Sequence, residues 1–108
     1  AGIFPLWLAP RQAIVVPVGN TFNDYGYEVL SQLRKAWLRV EIDDSTDGPN
    51  KKIRNAEKAH NNYILVVGEE EVKNKSVSVR SYKTKEQSDE KVDAFVKRAQ
   101  KEILEKAL

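Results

Sequence analysis

KKIRNAEKAHNNYILVVG, residues 51–68, decides the fold. Its first half sets Ile53, Ala56 and Ala59 at helical spacing among Lys51, Lys52, Arg54, Lys58 and His60. That pattern predicts an amphipathic, strongly basic helix over roughly 50–60. Its second half, Tyr63-Ile64-Leu65-Val66-Val67, is an unbroken apolar run closed by Gly68. A run this short and this apolar reads as a strand covered on both faces. A helix feeding a buried strand is the second half of a crossover between parallel strands. The basic face is either solvated or holds an anion, and its neighbours must decide.

Upstream, Ala13-Ile14-Val15-Val16-Pro17-Val18 is a second apolar, β-branched run. It predicts another buried strand, with Pro17 near its end because proline has no N–H to donate. Gly19-Asn20-Thr21 is turn chemistry. Tyr25, Val29, Leu30, Leu33 and Ala36 then form a helical stripe over 24–36. Leu38, Val40 and Ile42 alternate with Arg39, Glu41 and Asp43, a strand with one wet face near an edge. Downstream, Glu69–Val72 reads as a turn of helix, and Ser76–Tyr82 as a strand following too closely for a parallel crossover. A charged loop over 83–91 and a helix over roughly 90–107 complete the chain. The expected fold is α/β and three-layered: a mixed, mostly parallel sheet of four or five strands flanked by three helices. Ligands of such sheets collect at the carboxyl ends of the parallel strands, here 19–21, 43–49 and 68–71.

The 108 residues suit one domain. With no Cys and a single His, thiol nucleophiles and Cys-ligated zinc are excluded, and nucleophilic triads and His-rich metal sites nearly so. Neither a dinucleotide-binding nor a P-loop glycine pattern is present. Asp43, Asp44 and Asp47 lack the glycine and distal Glu of an EF-hand loop. No active site, cofactor or metal is therefore expected within this segment. The formal charge of +2 requires any nucleic-acid contact to come from a local patch. No apolar run approaches the roughly 20 residues that span a bilayer, and the absence of Cys fits a reducing, cytoplasmic setting. The lead-in AGIFPLWLAP has too much proline for a helix and lacks the basic start of a secretory signal. Its apolar side chains, Ile3 to Leu8, are expected to pack on this domain or on another. The absence of Met, with Ala1 first, reads as an excised fragment or a processed chain.

Three stretches in order, FPLWLAPRQAIVVPVG (4–19), NKKIRNAEKAHNNYILVVGEEE (50–71) and SVSVR (76–80), carry a family likeness. The chain resembles the C-terminal anticodon-binding domain of class II aminoacyl-tRNA synthetases, of the threonyl group and its eukaryotic cytosolic type. The resemblance implies recognition of the anticodon loop of threonine tRNA, whose last two anticodon bases are G and U. It implies a preceding catalytic domain, absent here, that supplies ATP, zinc and threonine sites, threonine–tRNA ligase activity and the contacts of a homodimer. It also assigns residues. Glu71 falls where the V-x-G-x-x-E motif places an anticodon-reading carboxylate, and Arg80 matches the arginine of the V-x-V-R strand. From the residues alone, a Glu in a triple-Glu run and an Arg on a polar strand face would simply meet water.

Lys52 and Arg54 belong to the family's K-I-R element. With Lys51 and the helix N-terminus they would favour a phosphate of the stem or loop. Thr46 and His60 stand where bacterial members carry Asn and Arg. Trp37 stands where the family has Gly, which puts a left-handed cap in doubt and would leave the ring against the sheet edge. Tyr25, Tyr27 and Tyr82 are candidate stacking surfaces, whereas Tyr63 reads as core. The site reading requires Glu71 and Arg80 to project together from one rim of the sheet, beside the 50–60 helix. The competing readings are an accessory module for protein contacts or dimer support, with Ile3–Leu8 exposed, and a small-ligand protein with a pocket at the strand ends.

Overall fold

The computed structural model describes residues 12–59, 61–81 and 86–104. His60, Tyr82 and the Ile3–Leu8 lead-in lie outside them. The strands are β1 (Ala13–Pro17), β2 (Val40–Ile42), β3 (Tyr63–Val67), β4 (Ser76–Ser81) and β5 (Gln87–Lys91). The helices are α1 (Asn23–Lys35), α2 (Pro49–Lys58), α3 (Glu69–Asn74) and α4 (Val92–Leu104).

The sheet order is β2-β1-β3-β4-β5. β1 pairs in parallel with both β2 and β3, while β3–β4 and β4–β5 are antiparallel. The mixed five-stranded sheet is therefore as anticipated, but its pairings divide evenly instead of being mostly parallel. The reason is β5: the segment read as a charged loop is the edge strand, so α4 begins at Val92.

Chain direction explains the layers. The first crossover steps from β1 outward to β2 and the second returns past β1 to β3. With both right-handed, α1 and α2 must lie on opposite faces. Strand alternation agrees. Ala13, Val15, Tyr63, Leu65, Val67, Val77 and Val79 join Val29 and Leu33 of α1 and Phe95 of α4 in the larger core. Ile14, Val16 and Ile64 pack with Ala56 of α2 in the smaller one. Gly26 permits the close seating of α1, since a Cβ there would stand 3.0 Å from both Ile42 Cδ1 and Pro17 Cγ. On the same face Tyr63 meets Phe95 edge-on, centroids 5.3 Å apart, and its hydroxyl donates to Glu102 Oε1 at 2.5 Å. Burial, reinforced by that bond, pushes its pKa to about 12.

Trp37 corrects the expectation for the end of α1. The left-handed cap survives: Trp37 has φ 67. The N–H of Leu38 donates to Leu33 O at 3.1 Å and that of Trp37 to Arg34 O at 3.0 Å, the Schellman pattern. Leu38 and Leu33, both buried, supply its apolar clasp. The clasp overrides the steric preference of residue 37, and the indole is 89% exposed instead of lying on the sheet edge. Trp37→Gly should raise stability by about 1 kcal/mol by relieving the left-handed strain, measurable as a higher denaturation midpoint. For Tyr63, a raised folded pKa gives stability that is complete below the unfolded value near 10. It is lost as pH climbs from there through about 12. Tyr63→Phe should cost about 1–3 kcal/mol at neutral pH and flatten alkaline denaturation over that window.

Candidate nucleic-acid interface

The order 2-1-3-4-5 puts the topological switch point at the carboxyl ends of β1 and β3. Glu71 stands there. Gly68 precedes α3 and lacks a Cβ; one there would meet Val18 Cγ2 at 3.1 Å and Glu71 Oε1 at 3.3 Å. Of the three glutamates opening α3, Glu69 and Glu70 are exposed, while Glu71 is partly buried and folds back over the strand end. Its place in the first turn suits a carboxylate beside free backbone N–H groups. Glu69 instead pairs with Lys73 at 3.3 Å.

Arg80 pairs with Ile64 of β3 and Gln87 of β5. Ile64 belongs to the α2 side of the sheet, so Arg80 does too. By alternation Val18 and the Cβ position of Gly68 face that side, and Glu71 Oε1 with them. Glu71 and Arg80 thus share a face. They do not share a rim: Arg80 sits opposite Ile64, four residues before Gly68, a separation of about 13 Å along the strand. The register corrects the single-rim expectation, with Val66 and Ser78 paired between the two poles. Arg80 is partly exposed, and its buried Nε has no hydrogen-bond partner among the described residues.

Lys52 also departs from expectation. It is 0% exposed, and its ammonium donates to Pro17 O at 3.0 Å. A side chain so enclosed presents no cation to a phosphate; it completes the end of β1. Lys51 and Arg54 remain exposed. Lys51 pairs with Asp47 at 3.4 Å, a solvated contact easily exchanged for another anion. The N-terminus of α2 has Pro49 in its first turn and no side-chain cap, leaving its first N–H groups open to solvent or a ligand.

Thr46 is exposed on the loop before α2. Asp43 Oδ1 accepts from the Ser45 N–H at 3.1 Å, and Ser45 Oγ from the Asp47 N–H at 3.4 Å. These local turns hold the loop tight. Tyr27 donates its hydroxyl to Asp44 Oδ2, and that hydrogen bond raises its pKa. Its ring is 44% exposed beside the same loop. Tyr25 is buried, its hydroxyl donating to Ser76 O at 2.8 Å, and offers no stacking face. Among the described residues no group of His, Cys, Asp or Glu is arranged to hold a metal ion.

Residues 12–102 match the family model described as anticodon binding domain. The chain belongs to that family. A threonine–tRNA ligase of Clostridium botulinum is 43% identical over 106 residues, 98% of this chain and 16% of its own length. A probable cytoplasmic threonine–tRNA ligase of Dictyostelium discoideum is 49% identical over 80 residues, 74% of this chain and 11% of its own. The RNA-binding domain of threonyl-tRNA synthetase from Cryptosporidium parvum superposes with a TM-score of 0.89 at 34% identity, covering 93% of this chain and 25% of that one. A prolyl-tRNA synthetase from the same organism gives 0.83 at 26% identity over 96% of this chain and 22% of that one. This anticodon-binding domain thus spans about a sixth of the curated ligases that it matches.

Sequence reasoning missed the burial of Lys52 and the nearness of Gln87 to Arg80, because each depends on strand register. The two lysines of this domain's basic helix can be separated by experiment. Lys52→Met should cost about 1–3 kcal/mol of stability by leaving the Pro17 carbonyl unsatisfied, with little change in the salt dependence of RNA binding. Arg54→Ala should leave the melting temperature alone and lower that salt slope by about 1. Melting curves and binding at several salt concentrations check both.

Proposed function

We propose that this anticodon-binding domain holds the anticodon loop of threonine tRNA and positions that tRNA for aminoacylation by a catalytic domain of the same, longer chain. The carrying observation is that Glu71 and Arg80 lie at two poles of one sheet face, flanked by the free end of α2. Glu71 accepts from the N–H edge of a guanine in the unstacked loop. Arg80 donates its fork to uracil oxygens or to a phosphate. Lys51, Arg54 and the open helix end attract the backbone. Thr46 hydrogen-bonds a neighbouring base, and His60 adds a further contact to the RNA.

The names of the ligase relatives support the choice of threonine tRNA. On the same reading, ATP and zinc belong to the catalytic domain, the parent is a cytoplasmic homodimer, and residues 1–108 are its anticodon-binding segment. No helix among the described residues is long and apolar enough to cross a membrane.

The test is titration of the chain with a threonine-anticodon stem-loop and with one whose anticodon is exchanged. The matched loop should bind at least tenfold tighter, weakening steeply with salt. Glu71→Gln and Arg80→Ala should each remove most of that preference. Equal binding of both loops by the unaltered chain would defeat the proposal.

A further inference from the structure

On the α2 side of the sheet, α2 covers β1 and β3. Among the described residues no helix covers β4 and β5 there. That strip of the face carries the buried Ser78 and the part-buried Arg80 on β4, opposite the exposed Asp89 and Gln87 on β5. Gln87 is the direct cross-strand partner of Arg80, so their Cβ atoms lie about 5 Å apart and their side chains leave the same face. Gln87 is exposed, and its Nε2 donates to Ser78 Oγ at 3.3 Å. That bond holds the amide on the face that it shares with Arg80, whose buried Nε has no partner among the described residues.

We propose that Gln87 is a specificity-determining residue that reads the edge of a nucleobase next to the one that Arg80 holds. The inference rests on the RNA-reading function proposed above and adds a residue to it. A carboxamide carries a donor and an acceptor side by side, the complement of a base edge. A phosphate is the poorer occupant. Asp89, an exposed carboxylate, leaves the same face two residues along β5 and would repel a backbone laid there. Lys91, the next residue on that side, has its ammonium engaged with Asn74 O at 2.5 Å. The strip is therefore nearly neutral around a single arginine, and neutral donors and acceptors select bases by pattern rather than by charge.

The experiment uses Gln87→Met, which keeps side-chain length and removes both hydrogen-bonding groups. Affinities of the unaltered chain, Gln87→Met and Arg80→Ala are measured for the threonine-anticodon stem-loop and for loops changed one base at a time. Gln87→Met should bind the parent loop about tenfold more weakly, with an unchanged salt slope because no phosphate contact is lost. That loss should vanish for loops altered at one position, adjacent to the position at which Arg80→Ala becomes silent. Wild-type binding by Gln87→Met, or an equal loss on every loop, overturns the inference while Arg80→Ala still loses discrimination. If the unaltered chain does not distinguish the loops at all, the proposed function falls and the role of Gln87 falls with it.

Discussion

The unsatisfied end of β1 organises this domain. Successive residues of β1 point their backbone groups alternately at β2 and β3. Val15 O accepts from Asp43 N on the β2 side, and Val18 N donates to Val67 O on the β3 side. Pro17 therefore faces β2, but β2 pairs only with Ala13–Val15. Its missing N–H costs nothing there, which is why a proline fits in a strand that is otherwise central. Its carbonyl still needs a donor in a place closed to water, and Lys52 supplies it. The side chain crosses from α2 to the strand end and fixes the helix to the sheet. That bond, with the packing of Ile53 and Ala56 on the sheet, sets the orientation of the exposed Lys51 and Arg54 and the approach of the α2 N-terminus to the switch point.

Uneven coverage of the two faces determines where a ligand can lie. α1 and α4 bury the larger face with Val29, Leu33, Phe95 and Ala99, and the clasp at Leu38 and the Tyr63–Glu102 bond seal its ends. On the other face α2 packs against β1 and β3. Among the described residues the rest of that face carries buried serines, a part-buried arginine and, at the β5 edge, an exposed glutamine and aspartate rather than aliphatic side chains. With a net charge of +2, the molecule has no broad positive field to gather polyanions. Affinity must come from the α2 end, and discrimination from side chains spread about 13 Å along β3 and β4. That separation suits an unstacked loop drawn across a surface better than a ligand held at one point.

What the sequence makes legible follows the strength of its local signals. The continuous runs 13–18 and 63–67 and the stripe of α1 announce buried elements, because few other arrangements shelter so many adjacent apolar residues. QSDEK carries no such mark. On β5 four of its five residues are exposed and only Glu90, tied to Arg98, is partly covered. It becomes a strand because β4 presents it with a ladder, a tertiary cause invisible in local composition. Family motifs marked Glu71 and Arg80, but spacing along the chain cannot tell a rim from a face, which depends on register. Lys52 was misread for the same reason: a lysine in a basic helix looks solvated until the length of β2 is known. At Trp37 residue preference pointed away from the left-handed cap, and the Leu33–Leu38 clasp prevailed.

Lys52 and Arg80 separate structural from functional polarity in this chain. Both are cations on the α2 side, and both place polar atoms out of reach of water. Lys52 meets a backbone carbonyl that would otherwise be orphaned, so its burial is explained wholly within the fold. Arg80 has no such account. Its Nε is buried without a partner, a state that costs on the order of 1–3 kcal/mol. Beside it, Gln87 donates to Ser78 Oγ. A stability-driven strand would place a threonine or valine at this position and lose nothing in packing. An Nε left short of its hydrogen bond is instead ready to gain one from a ligand. At Nε no bond among the described residues need be broken to form such a contact, which leaves more of its energy for binding.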